Sequence, residues 1–203
     1  DVLLPNSLTH LIFGCAFNKT VALSNSLTHL TFGSYFDQII ILPNSLTHLT
    51  FGDNFDQIII LPNSLTHLTF GNNFDQNIIL PNSLTHLTFG RNFNENIILP
   101  NSLTHLTFGK YFNQDIELTE NLLFIQIYYP SIQIISIIEK IPNSVKELCI
   151  AFPEKIFRLD NLPNSIEKLK ITDFLQKFSI EWIQIPSSLK YLNINDEKID
   201  LMR

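Results

Sequence analysis

The chain has 203 residues, 45% hydrophobic and 16% charged, with a formal net charge of −6. That is enough apolar material for one continuous core. The acidic balance, with no basic stripe, excludes a nucleic-acid reader, which must replace phosphate counterions with Lys and Arg. No apolar run approaches the ~20 residues of a membrane-spanning helix, so no membrane partner is predicted.

Charge is unevenly placed. Residues 1–118 hold three basic residues, Lys19, Arg91 and Lys110, against eight acids, whereas residues 119–203 hold ten against eleven. The two cysteines, Cys15 and Cys149, are several structural units apart, too far to bridge, and read as buried or half-buried thiols of a reducing, cytoplasmic compartment. The lone Asn18-Lys19-Thr20 sequon is of the kind chance supplies. The chain begins at Asp1 without a signal-like stretch, which suggests a fragment or a processed product.

In chain order, the pattern Leu-Pro-Asn-Ser-Leu-Thr-His-Leu-Thr-Phe-Gly recurs every 19 residues. Its second leucine stands at Leu8, Leu27, Leu46, Leu65, Leu84 and Leu103. Pro5, Pro43, Pro62, Pro81 and Pro100 precede it, with Ser24 in the one missing slot. Four looser copies start at Leu122, Val145, Ile166 and Leu189, with spacings of 23, 21 and 23 residues. A fixed period near 20 residues marks a solenoid in which each unit covers the apolar flank of the next. One solenoid domain over residues 1–203 is expected, with regular units to 118 and longer, divergent ones with a C-terminal cap over 119–203.

Within each unit, Leu-x-x-Leu-x-Phe/Ile is the strand core of a leucine-rich repeat. Leu11 and Phe13 flank Ile12, so one side of a short strand is apolar and the other faces out. Glycines end this strand at Gly14, Gly33, Gly52, Gly71, Gly90 and Gly109, positions read as bends that need glycine's freedom. Phe17, Phe36, Phe55, Phe74, Phe93 and Phe112 form an aromatic column inside the bend. In the return, Ile40 and Leu42 and their equivalents point inward, leaving Ile41, Ile60, Ile79 and Ile98 outward, with Ile39 and Ile58 beside them. Nineteen residues leave no room for a helix, so a short second strand or extended segment is expected on the convex side. Proline fixes the second bend, and the following asparagines, such as Asn44, are expected to bond the neighbouring unit's backbone. The fold predicted is a mostly β leucine-rich-repeat solenoid of about ten units, with a parallel sheet on its concave face. Residues 173–182 are read as a helical turn in a longer return, residues 196–203 as a polar cap, and Val2-Leu3-Leu4 as an uncapped end.

The motif Leu-Pro-Asn-Ser-Leu-Thr-His-Leu-Thr-Phe-Gly-x-x-Phe-Asn/Asp-Gln-x-Ile closely resembles the FNIP repeat. That family is a short leucine-rich-repeat variant abundant in social amoebae and in giant viruses that infect them. The resemblance is strong from Leu4 to about Leu118 and looser to Ile194. Gln or Glu replaces the Ile-Pro of the name motif, as in Phe36-Asp-Gln-Ile39. Family members in giant viruses often carry an F-box, which implies recruitment of targets to a ubiquitin ligase, and for a viral protein a host-cytoplasmic location. No F-box-like segment lies within the 203 residues.

Three sets of residues are candidate sites. All six histidines, His10, His29, His48, His67, His86 and His105, occupy one concave column. At ~4.8 Å strand spacing they are poorly placed to share a zinc ion, so no metal and no cofactor is predicted. Mutual repulsion should hold them mostly neutral at pH 7. In the divergent units the concave columns change to Phe124, Lys146, Glu147, Glu167, Lys168, Lys170, Lys190, Tyr191 and Asn193, the aromatic and mixed-charge set that protein interfaces use. The outward stripe Ile41, Ile60, Ile79 and Ile98 is a candidate homodimer face. No nucleophile, acid–base pair or phosphate loop is present, so the chain reads as a non-enzymatic module that binds a partner protein. The alternative is a self-associating structural solenoid.

Overall fold

The computed structural model describes residues 4–128, 134–152, 159–173 and 183–199. Among these residues eleven strands form one sheet in strict sequence order. They are β1 (His10–Ile12), β2 (His29–Thr31), β3 (His48–Thr50), β4 (His67–Thr69), β5 (His86–Thr88), β6 (His105–Phe108), β7 (Phe124–Tyr128), β8 (Glu147–Phe152), β9 (Lys168–Asp173), β10 (Tyr191–Ile194) and β11 (Glu197–Ile199). β1 to β10 run parallel, one per unit, and the register stacks like on like: His29 pairs with His48, Leu30 with Leu49, Thr31 with Thr50. β11 folds back antiparallel on β10. The turn between them is Asn195-Asp196, both at positive φ (53° and 64°), the left-handed pair that a two-residue hairpin needs and Asn and Asp tolerate.

The core is a set of columns running the length of the molecule. Leu27, Leu46, Leu65, Leu84 and Leu103 are fully buried, as are Phe36, Phe55, Phe74 and Phe93. A second phenylalanine column, Phe32, Phe51, Phe70, Phe89 and Phe108, lies against the first, with ring centroids 3.7 Å apart for Phe51 and Phe55. Each bend is a hydrogen-bonded turn. The Phe36 amide donates to the Gly33 carbonyl at 3.2 Å, and the Leu46 amide to Pro43 at 3.1 Å. The Leu27 amide makes the same bond to Ser24 at 3.1 Å, which is why serine can replace proline there.

The glycines serve a different need from the one the sequence suggested. None has positive φ. A Cβ on Gly71 would lie 2.2 Å from the Gly52 carbonyl oxygen, and one on Gly33 2.5 Å from that of Gly14. The backbones of successive units approach too closely here for any side chain. The turn asparagines of the regular units also differ from expectation, whereas Asn164 Oδ1 accepts the next unit's Ser187 amide at 3.1 Å as expected. Asn44, Asn63 and Asn82 are exposed, and the serine after each ties the units together: the Ser45 hydroxyl donates to the Leu27 carbonyl at 2.7 Å and Ser64 to Leu46 at 2.6 Å.

In the regular units the return is an extended segment without a ladder of its own. Ile40 and Ile59 pack on the core while Ile41, Ile60, Ile79 and Ile98 stand 89, 88, 90 and 91% exposed. The longer units differ. One return carries a short helix, α1 (Ile134–Glu139), and a parallel bridge from Leu159 to Ile183 joins the two returns that flank β9. The helical turn read at 173–182 falls outside the described residues except for Asp173, which ends β9. Residues 1–3 and 200–203 of the two predicted ends also lie outside them.

Candidate binding face

The concave face is built by the strands' outward positions. In the six regular units these are a threonine, the histidine and a second threonine (Ile12 in the first unit). Imidazole rings stack at 4.1 Å between centroids, with planes 11–12° apart, through all six histidines. Phe124 continues the stack beyond His105 at 5.7 Å. Each ring is pinned by the threonine before it: Thr47 Oγ1 lies 2.9 Å from His48 Nδ1 and 3.1 Å from the Thr28 carbonyl. The hydroxyl gives its single proton to the carbonyl, so its lone pair accepts from the ring, which favours the tautomer protonated at Nδ1.

Near-parallel rings carry near-parallel lone pairs, which do not converge on a tetrahedral ion with ~2.0 Å bonds. Among the described residues no group of three or more His, Cys, Asp or Glu could hold a metal ion. Burial between neighbouring rings, and next the charge of neighbouring imidazoles, lowers the pKa of His29, His48 and His67, and that of His86 to about 4. Repulsion was the cause inferred from sequence; desolvation of faces covered by rings is the larger one.

The divergent units bring their charged residues together as cross-strand pairs. Lys190 Nζ lies 2.7 Å from Glu167, which Lys146 also approaches at 3.9 Å; Lys168 meets Glu147 at 3.3 Å, and Lys170 meets Asp196 at 2.8 Å. The Lys190 bond holds Glu167 below the usual carboxylate range, and the Asp196 bond raises Lys170. Tyr191 is exposed and Phe124 half-buried. Asn193 is 7% exposed, and its Oδ1 accepts the Asp196 amide at 3.1 Å. It therefore closes the hairpin turn and leaves the accessible face. Cys149 is half-buried, its thiol pushed up to about 11 by burial, with Glu147 adding to the effect. Cys15 is exposed, contrary to expectation, because it sits in the surface column just after the glycines.

Two open clefts adjoin over the change from regular to divergent units. One of about 510 Å³ is lined by Thr88, Thr107, Arg91, Lys110, Gln126 and Tyr128 among others. The other, about 360 Å³, shares Gln126 and Tyr128 and reaches Phe124, Glu147 and Lys170. Sequence reasoning singled out neither Arg91, Lys110, Gln126 nor Tyr128. The signal was there in the columns: Arg91 and Lys110 are consecutive members of the post-glycine column, and Tyr128 falls at the register position that holds glycine in the units before it.

The FNIP Repeat profile matches residues 17–54, 36–73, 55–92, 74–111, 93–118 and 153–197. The chain belongs to the FNIP-repeat family. Among solved structures it is similar to CroV588, described as a novel circular leucine-rich-repeat protein, with 42% identity and a TM-score of 0.75 over 94% of this chain and 34% of that one. It also shares its fold with YopM from Yersinia enterocolitica WA-314, at 20% identity and a TM-score of 0.64 over 93% of this chain and 42% of that one. The FNIP-repeat chain thus spans well under half the length of either. No curated protein matches it. Among its described residues no helix is long and apolar enough to cross a membrane.

Proposed function

We propose that this FNIP-repeat chain holds an extended segment of a partner protein on its concave face, where the regular units give way to the divergent ones. Solenoids of this class are, in general, non-enzymatic protein-interaction modules. The observation that carries the location is the coincidence of both clefts with the point where the concave columns stop repeating. Six rows of His and Thr, identical but for Ile12 in the first, offer a partner no distinct address, and specificity needs distinct neighbours. The ion pairs among Lys146, Glu147, Glu167, Lys168 and Lys190 are exposed and mutually satisfied, so they set charge complementarity at the rim. Phe124, Tyr128 and Tyr191 are the aromatic anchors.

A photo-crosslinking phenylalanine analogue placed at Phe124 or Tyr191, and as a control on the opposite flank at Ile60, tests this in cells. A discrete protein adduct from the first two positions and none from Ile60 is expected; equal labelling from all three would overturn the location. The family's F-box association supplies a finer reading, in which the held protein is passed to a ubiquitin ligase. Ubiquitination of the crosslinked protein that depends on the intact concave face is then expected.

A second reading has its own observation. The Ile41, Ile60, Ile79 and Ile98 stripe, with Ile39 and Ile58 beside it, is a contiguous apolar band of isoleucines 73–91% exposed, and exposed bands of this kind mark interaction sites. Two copies could cover it face to face. Light scattering should then show a dimer that an Ile60→Glu, Ile79→Glu variant splits; monomers before and after would remove this reading.

A further inference from the structure

The larger cleft carries a more specific assignment, which rests on the concave-face reading above. We infer that it is built to take an acidic segment of an extended peptide, seated with a carboxylate between Arg91 and Lys110.

Its walls follow from the repeat. Gly90 and Gly109 leave a floor of bare backbone because successive units approach too closely there for a side chain. Thr88, Thr107 and Gln126 form one side, presenting two hydroxyls and an amide in line. Arg91 and Lys110 form the other. Tyr128, standing where a seventh glycine would be, closes the end, its phenol held by the Gln126 amide.

The charge placement is the deciding feature. Residues 1–118 hold eight acids and three cations, and two of those three stand side by side at this cleft. In the three units before Arg91 the same column holds Ser34, Asp53 and Asn72. Adjacent cations repel, by about 1 kcal/mol or more at surface dielectrics. Among the described residues Arg91 makes no ion pair. Its guanidinium gives one hydrogen bond, Nη2 to the Tyr111 phenol at 3.2 Å, and lies 5.3 Å from that ring's centre. Lys110 lies 5.4 Å from the same ring. The guanidinium has five donors, so most of its bidentate capacity for a carboxylate is unspent.

The other wall chooses the class of ligand. Hydroxyls and an amide at strand spacing match the alternating N–H and C=O of an extended peptide backbone. A cleft of about 510 Å³ is large for a single phosphate. A long polyanion such as single-stranded nucleic acid would run its phosphates past the eight carboxylates of the same half of the chain, whereas a short acidic peptide keeps its charges at the place that balances them.

The test uses the full chain and labelled hexaglutamate as the probe, with hexaglutamine and a labelled oligothymidylate as comparators, read by fluorescence anisotropy. Hexaglutamate should bind, weaken at least ~10-fold between low and high salt, and weaken ~10-fold or more in an Arg91→Gln, Lys110→Gln variant. Arg91→Lys, which keeps the charge but loses the bidentate fork, should bind more weakly than wild type and more tightly than the double variant. Unchanged thermal melts of the variants show that the fold is intact. Hexaglutamate that does not bind, or binds the double variant equally well, overturns the assignment, as does an equal affinity for hexaglutamine or for the oligothymidylate. Should hexaglutamate fail while crosslinks at Phe124 persist, the acidic occupant is wrong and the concave-face reading stands. Hexaglutamate binding without any cellular adduct supports the carboxylate site and removes the partner reading instead.

Discussion

Glycine's part in this molecule is decided by its neighbour one unit away. Gly71 cannot accept a Cβ, because the atom would fall 2.2 Å from the Gly52 oxygen and 2.3 Å from its carbonyl carbon. Both are backbone and cannot swing aside. Gly14, in the first described unit, would place the same atom more than 4 Å from everything. The two residues share sequence context, turn and φ class, so they form an internal control. Gly71→Ala should cost at least ~2 kcal/mol by forcing two units apart, and Gly14→Ala should stay within ~0.5 kcal/mol of wild type. Urea midpoints measure both. Equal effects at the two positions would return the glycines to the turn-geometry role read from sequence. That reading shows where sequence pattern stops. Period, strand core, phenylalanine column and outward isoleucines were legible because burial imposes periodicity on residue type. The reason for glycine was not, since a tight turn and a close backbone approach both select it. The Asn/Asp after the second phenylalanine was equally opaque. Asp37 Oδ1 accepts the Asp56 amide at 3.0 Å and the Gln57 side-chain amide at 2.9 Å, a ladder that explains why Gln replaces the Ile-Pro of the family motif.

The histidine column acts as one element because its members cover one another. With an imidazole at 4.1 Å on each face, a charged ring loses hydration and meets its neighbours' charge, and both effects favour the neutral form. His29, His48, His67 and His86 therefore have folded pKa values below the unfolded ~6.5, His86 at about 4. A group whose folded pKa is depressed contributes stability that is complete above the unfolded pKa and lost as pH falls through the folded one. The window thus opens near pH 6.5 and closes near 4. Across it the wild type should lose stability to urea more steeply than a variant with all six histidines changed to glutamine. Carboxylates titrate in both proteins and cancel in the comparison. Parallel stability curves would show that the column is electrostatically idle. The sequence placed the six rings in line but could not rank the causes, because it did not show the rings stacked face to face on threonine hydroxyls.

At the scale of the whole molecule the same stacks measure curvature. Equivalent rings in successive units are related by one repeat operation, so their separation is the step of the solenoid at that depth. The step is 4.1 Å at the histidines, 5.7 Å at Phe51–Phe70 and 6.1 Å at Phe55–Phe74. It grows from the histidine face toward the phenylalanine bend, which puts the histidines on the inside of the curve. Successive imidazole planes turn by 12°. A rotation of that size, about 0.2 radian, converts the 2 Å difference in step into a depth of about 10 Å between the two columns, the thickness of one packed layer. The phenylalanine planes turn by less, 7–8°, as planes whose normals lean toward the rotation axis do. About 12° per unit is therefore taken as the bend built into the regular sequence, and about thirty such units would close a circle. Because each unit touches only its neighbours, the bend should be a property of the unit and add along an array. A tandem array of about twelve regular units should therefore scatter X-rays as an arc spanning about 130°, and a profile fitted by a straight rod would show that the curvature depends on the divergent units at the other end. Curvature of this kind also fixes which side can hold a partner: the inner face narrows the spacing of its side chains to about 4 Å, below the strand spacing itself. A flat protein surface cannot follow that face, and a slender extended chain can.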